Sequence, residues 1–150
     1  MSPKQWGKPI WHLFHVLAEK IKEEKYPLLY RELFSQVYQI SSLLPCNECA
    51  SHAKHFLSKI KVDNLKTKKD FQSMLFVFHN SVNNRTKSPL FKYENLETYK
   101  SMNIIIAFNE FSKNFHTNGN MNLITENFHR KQFLINFKKW LMQNISNFEL

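Results

Sequence analysis

Apolar residues recur at helical spacing along almost the whole chain. Over residues 8–25, Ile10, Trp11, Phe14, Leu17, Ala18 and Ile21 share one face, with Lys20, Lys22, Glu23 and Glu24 opposite. Pro9 fits the first turn of that helix. Tyr26-Pro27 punctuates the chain. Leu29, Leu33, Val37, Ile40 and Leu44 then predict a second helix over 28–43, which Pro45 stops. A third opens at Cys46 or Asn47 and runs to Ile60, burying Ala53, Phe56, Leu57 and Ile60. After a polar connection at 61–69, Asp70 is expected to cap a fourth helix over 70–85, striped by Phe71, Met74, Leu75, Phe78 and Val82. Ser88-Pro89 breaks the chain, and 90–100 is expected to hold a short helix. Two more helices are predicted over 103–115 and 125–147, joined by a polar loop at 116–120. The last carries Phe128, Phe133, Leu134, Phe137, Leu141 and Ile145 as its apolar stripe.

Composition agrees with an all-α fold. Only 2 Gly and 5 Pro occur, so tight turns are few. Hydrophobic residues make up 43% of the chain, and 14 Phe give it material for a bulky core. The net charge of +9 suits phosphate, nucleic acid or acidic partners. The lysines are spread along the chain, however, which reads as a solvated surface, and nucleic acid is not the expected partner. The N-terminus has no apolar signal core, and no apolar run approaches membrane-spanning length. A soluble protein that is not secreted is expected.

The only two cysteines form a C-x-x-C pair, Cys46 and Cys49, at the start of the third helix. Free amides and the helix dipole at such a position stabilise a thiolate and prepare it for disulfide exchange. Intracellular C-x-x-C pairs serve redox or metal chemistry more often than structure. The metal alternative is a small basic zinc module, binding nucleic acid or a protein, with Cys46, Cys49, His52 and His55 as ligands. Helix geometry opposes it: at about 1.5 Å per residue, Cys46 and His55 stand about 13 Å apart along the axis. A single zinc ion needs every ligand within about 2.3 Å. A second cluster, His79-Asn80-Ser81-Val82-Asn83-Asn84-Arg85, puts polar groups at the end of an apolar helix, as though something polar must be held there.

Three separated pieces, W-G-x-x-x-W-x-x-x-H at 6–15, C-x-x-C at 46–49 and H-N-x-V-N at 79–83, occur in this order and spacing. Together they resemble the Erv/ALR family of FAD-linked sulfhydryl oxidases, in the short form encoded by large DNA viruses. The resemblance covers residues 5–95. It implies a four-helix bundle with a short fifth helix that binds FAD, over residues 1–98; the two further helices, outside the resemblance, make 99–150 a helical C-terminal extension. The resemblance implies Cys46 and Cys49 as the catalytic pair, with Cys49 also against the flavin. Trp11 and His15 would line the flavin, and His79, Asn80, Val82 and Asn83 would hold the adenine and ribose side. Gly7 belongs to the first motif and is expected at the cofactor. Lys8, Arg85 and Lys87 are candidates for the pyrophosphate, and Tyr93 stands near the place of a family aromatic beside the adenine. The implied reaction passes electrons from dithiols through the cysteines and FAD to oxygen, forming disulfides and hydrogen peroxide. Implied partners are thiol-containing proteins or an intermediary redox protein, oxygen, and a second copy in a homodimer through the first helices. The implied setting is the host cytoplasm, in viral factories, and the virion. The chain lacks the shuttle cysteine pair and structural disulfide of most cellular members, so substrates must reach Cys46–Cys49 directly or through a separate redox protein.

Overall fold

A computed structural model describes residues 3–115 and 121–150, with side chains described for 7–115 and 127–150. The polar loop expected at 116–120 lies outside the described residues. Six α-helices follow one another: α1 (Pro3–Lys20), α2 (Tyr26–Ser42), α3 (Asn47–Ser58), α4 (Lys68–Arg85), α5 (Ile104–Asn114) and α6 (Met121–Gln143). The short helix expected at 90–100 is a 3-10 helix, Tyr93–Ser101. Among the described residues the β pairing is one isolated bridge, Ile21 with Phe148. The fold is all-α.

The element boundaries follow local chemistry. Pro9 is not in the first turn of α1: the helix begins at Pro3, so Pro9 sits inside it. The helix stops at Lys20 rather than 25 because the chain terminus claims the next backbone groups. Lys22 donates its amide to Asn147 O at 2.9 Å, and Glu149 donates to Lys20 O. Asp70 is not the cap of α4. Thr67 is, and Asp70 is its reciprocal partner in a capping box: Asp70 N donates to Thr67 Oγ1 at 3.1 Å, and Thr67 N to Asp70 Oδ2 at 3.0 Å. At the other end, Thr86 caps α4, Lys87 N donates to Asn84 O and Ser88 N to Asn83 O. This double closure is a Schellman motif, and it holds Lys87 at φ 58°, a left-handed conformation that usually falls to Gly.

The helix α1 is the central strut. Leu13, Phe14, His15, Val16, Leu17 and Ala18 are all buried, so its burial extends well beyond one face. The helix α4 and the 3-10 helix pack on it, and α5 runs along another side. Lys20, expected on the polar face, is buried and donates Nζ to Lys100 O and Leu150 O. The tail shares the same core: Phe108, Phe111, Phe115, Phe137, Leu141 and Phe148 are buried with the residues of α1–α4. Phe137 stacks on Phe108 at 5.7 Å and meets Phe111 edge-on at 6.1 Å. Arg130 of α6, wholly buried, donates Nη1 to Leu43 O at 3.1 Å, which satisfies the C-terminal carbonyl end of α2 just before the cysteines. Phe128 does not join the stripe: it is 62% exposed, on the opposite side of α6 from Phe133, Phe137 and Leu141.

Candidate active site

Pro45 ends the second helical run, and the chain re-enters helix immediately. Cys46 is extended (φ −154°, ψ 113°) and serves as the N-cap of α3. Its sulfur accepts the amide of Cys49 at 3.2 Å. One turn of helix brings Cys49 back over Cys46, with Cα atoms 5.2 Å apart, and the two are joined as a disulfide. In the reduced pair, the same amide and the N-terminal end of the α3 dipole favour a Cys46 thiolate.

Cys49 also forms part of the wall of a cavity of about 650 Å³, within the usual range for small-molecule and cofactor sites. The opposite walls come from α1 and α4. Gly7, Lys8, Trp11 and His12 contribute from α1, and Phe78, His79, Val82 and Arg85 from α4. Leu44, Phe91 and Tyr99 close it from the connecting segments. The lining is mostly apolar and aromatic, with Lys8 and Arg85 as its cations. At Gly7 an added methyl would meet nothing within 4 Å, so the wall is open there.

Two histidines order the aromatic rings, His79 in the lining and His15 behind it. Trp11 stacks on His79 at 4.1 Å and 7°, and Phe91 stacks on His79 at 4.5 Å and 20°. His15 is buried, stacks with Phe91 and Tyr99, and shares a 3.0 Å hydrogen bond between its Nε2 and His79 Nδ1. That bond requires one ring to donate and the other to accept, so at most one of the two facing nitrogens carries the hydrogen. Burial pushes His15 down from 6.5 to about 3, helped by His79 and His12. Burial, then His12, pushes His79 down to about 4. Both rings are therefore neutral at pH 7. His12, at the cavity wall, is also lowered, first by burial and then by Lys8, and its Nδ1 stands 4.0 Å from Glu110 Oε2 of α5.

Residues 8–102 match the family model Erv1 / Alr. The chain belongs to the Erv1 / Alr family. A FAD-linked sulfhydryl oxidase of African swine fever virus (isolate Tick/Malawi/Lil 20-1/1983) is 30% identical over 108 residues, 67% of this chain and 86% of that protein. The same protein of the Warthog/Namibia/Wart80/1980 isolate is 29% identical over 105 residues, 67% and 83% of the two chains. FAD-linked sulfhydryl oxidase ERV1 of Oryza sativa subsp. japonica is 30% identical over 91 residues, 61% of this chain and 46% of that protein. No solved structure matches the chain.

The structure divides the residues expected from the Erv1 / Alr resemblance into two groups. Gly7, Lys8, Trp11, Cys49, His79, Val82 and Arg85 meet at the cavity. His15 stands behind it, holding His79. Asn80 and Asn83 anchor the chain after α4 instead. Asn80 Nδ2 donates to Phe91 O at 2.9 Å and its Oδ1 accepts Phe91 N at 2.7 Å; Asn83 Nδ2 donates to Pro89 O at 3.1 Å. Lys87 is exposed in the α4 cap, and Tyr93 is half-exposed against Phe76. Neither lines the cavity. Phe91 and Tyr99 do, though no short motif marks either: both are brought in by the Asn80 clamp and by the packing of the 3-10 helix on α1. His52 and His55 lie on the exposed side of an unbroken α3, and among the described residues no group of three or more Cys, His, Asp or Glu side chains is placed to hold a metal ion. Nor is any described helix long and apolar enough to cross a membrane.

Proposed function

We propose that the chain is an FAD-dependent thiol oxidase that forms disulfides in protein substrates. The observation that carries this is the Cys46–Cys49 disulfide with Cys49 in the wall of an aromatic, cation-bearing cavity, in a member of the Erv1 / Alr family. The viral and plant relatives bear the name FAD-linked sulfhydryl oxidase.

The lining suits FAD. Flat aromatic and imidazole rings (Trp11, His79, Phe91, Tyr99) match its two ring systems, and Lys8 and Arg85 match its pyrophosphate. FAD bound there supplies the two-electron acceptor that reoxidises the cysteine pair and passes the electrons to oxygen, giving hydrogen peroxide. The chain's own residues do the thiol chemistry. A substrate thiolate attacks Cys46 Sγ, forming a mixed disulfide and releasing Cys49 as a thiolate at the cavity wall. A second substrate thiolate attacks the mixed disulfide, so the substrate leaves oxidised and Cys46 leaves as a thiolate, stabilised by the Cys49 amide. Two electrons have then moved from substrate to protein.

The assignment of Cys46 as the entry point rests on its partial exposure, outside the cavity lining that includes Cys49. The proposed substrates are thiol-containing proteins or an intermediary redox protein, in the host cytoplasm or the virion, a setting that the viral relatives support. A homodimer is also proposed. Its contact is proposed through the first helices, where Leu28 of α2 is exposed; sedimentation of the holoenzyme tests it.

The deciding experiment is a visible spectrum of the purified protein followed by oxygen uptake with dithiothreitol. Flavin bands and oxygen consumption are expected. Cys49→Ser is expected to keep the bands and lose turnover. A colourless protein that takes up no added FAD would refute the oxidase reading.

A further inference from the structure

The helix α6 has two apolar sides. Its inner face, Phe133, Phe137 and Leu141, is buried in the shared core. On the other side, Phe128, Ile135 and Met142 are 62%, 63% and 43% exposed. They recur at every seventh position, so they form a seam one residue wide, about 21 Å long at about 1.5 Å per residue. An α-helix apolar on two opposite sides is built to be covered on both. The fold covers one.

The surroundings of the seam say what fits it. Lys131 and Lys138 follow Phe128 and Ile135 by three positions, and Lys139 follows Ile135 by four, so lysines flank the seam on both sides. All three are exposed. No Asp or Glu occurs from Asn127 to Gln143. A seven-residue repeat is the period of a two-helix seam. A lipid surface asks for a broad apolar face, and this one is narrow and bounded by charge. A second copy of the chain would bring lysines against lysines whether the two helices ran parallel or antiparallel. An acidic partner helix would pair them.

We infer that the outer face of α6 is a docking surface for an acidic amphipathic helix of a partner protein, gripped at Phe128, Ile135 and Met142 and selected by Lys131, Lys138 and Lys139. The seam shares no residue with the cavity, so docking and thiol oxidation are separable properties.

The test uses the full-length, FAD-loaded protein and two labelled helical peptides of about three heptads. Both carry the same Leu and Ile seam; one is flanked by Glu, the other by Lys. By fluorescence anisotropy the acidic peptide is expected to bind roughly tenfold or more tightly than the basic one. Ile135→Asp is expected to abolish that binding while dithiothreitol oxidation stays unchanged, which shows that the variant is folded. The double variant Lys131→Glu, Lys138→Glu is expected to reverse the preference. Equal affinity for the two peptides, binding untouched by Ile135→Asp, or no binding overturns the proposal. Dimerisation of the free protein that Ile135→Asp abolishes would make a second copy the occupant and also overturn it. Ile135-dependent binding to phosphatidylserine vesicles without peptide binding overturns it in favour of a membrane.

Discussion

The two bonds between Asn80 and the backbone of Phe91 are the smallest device that shapes the cavity. They fix a residue eleven positions away and aim its ring at His79. Asn80 is thus a positioning residue, acting through Phe91. Asn80→Ala frees Phe91 and leaves its backbone groups unpaired, at a cost of about 1–3 kcal/mol. The expected outcome is weaker FAD binding in a titration, with the redox chemistry of any bound FAD unchanged. A second residue-scale expectation concerns pH. His15 and His79 have folded values of about 3 and about 4, below the ordinary 6.5. Between these limits the unfolded chain binds protons that the folded chain refuses, so stability rises with pH there. The FAD-free protein is therefore expected to lose thermal stability as pH falls from about 6.5 towards 4. His15→Gln should flatten that slope in melting curves; an unchanged slope would place the effect elsewhere.

Helix ends decide how the elements meet the site. The C-terminal cap of α4 forces Lys87 into a left-handed conformation that costs an L-residue about 1–2 kcal/mol. Lys87→Gly removes that strain, and a gain of about 1 kcal/mol is expected in denaturant unfolding, allowing for the extra freedom of Gly in the unfolded chain. The same variant tests whether the Lys87 charge serves the pyrophosphate: unchanged FAD affinity would leave Lys8 and Arg85 as the phosphate cations. At the far end of α4 the Thr67–Asp70 capping box orients the entry. At α2 the closing carbonyl is met by a buried cation from α6, so an element of the tail steadies the lead-in to the cysteines.

At the scale of the molecule, the tail is structural. Residues on both sides of position 98 share one core, and α5 covers a side of α1 that an isolated four-helix bundle would leave open. Phe137 joins α5 and α6 within that core, in contact with Phe108, Phe111, Phe133 and Trp140. Phe137→Ala is expected to cost about 3–5 kcal/mol, read as a lowered denaturation midpoint. Because Glu110 of α5 faces His12 at the cavity wall, FAD affinity is expected to fall in the same variant as the tail loosens.

The helices, the cysteine pair and the family are legible in the order of residues along the chain. Helical periodicity is written locally, a C-x-x-C at a helix start carries its chemistry in its spacing, and Trp11, His15 and His79 stand in short motifs. The residue order also placed most of the cavity wall from α1 and α4. Long-range packing sets what local pattern cannot encode. Lys20 reads as a surface residue until the carbonyls of Lys100 and Leu150 fold over it. Asn80 and Asn83 read as ligand-binding amides until residues 89–91 return to meet them. Phe91 and Tyr99 carry no motif, because a ring becomes a cavity wall only through what it packs against. Phe128 and Ile135 lie on one apolar side of α6 and Phe133 and Phe137 on the other, and only the packing of α6 on the core fixes which of the two is buried. Each of these depends on contacts between residues far apart in the chain, and a one-dimensional period holds no information about them.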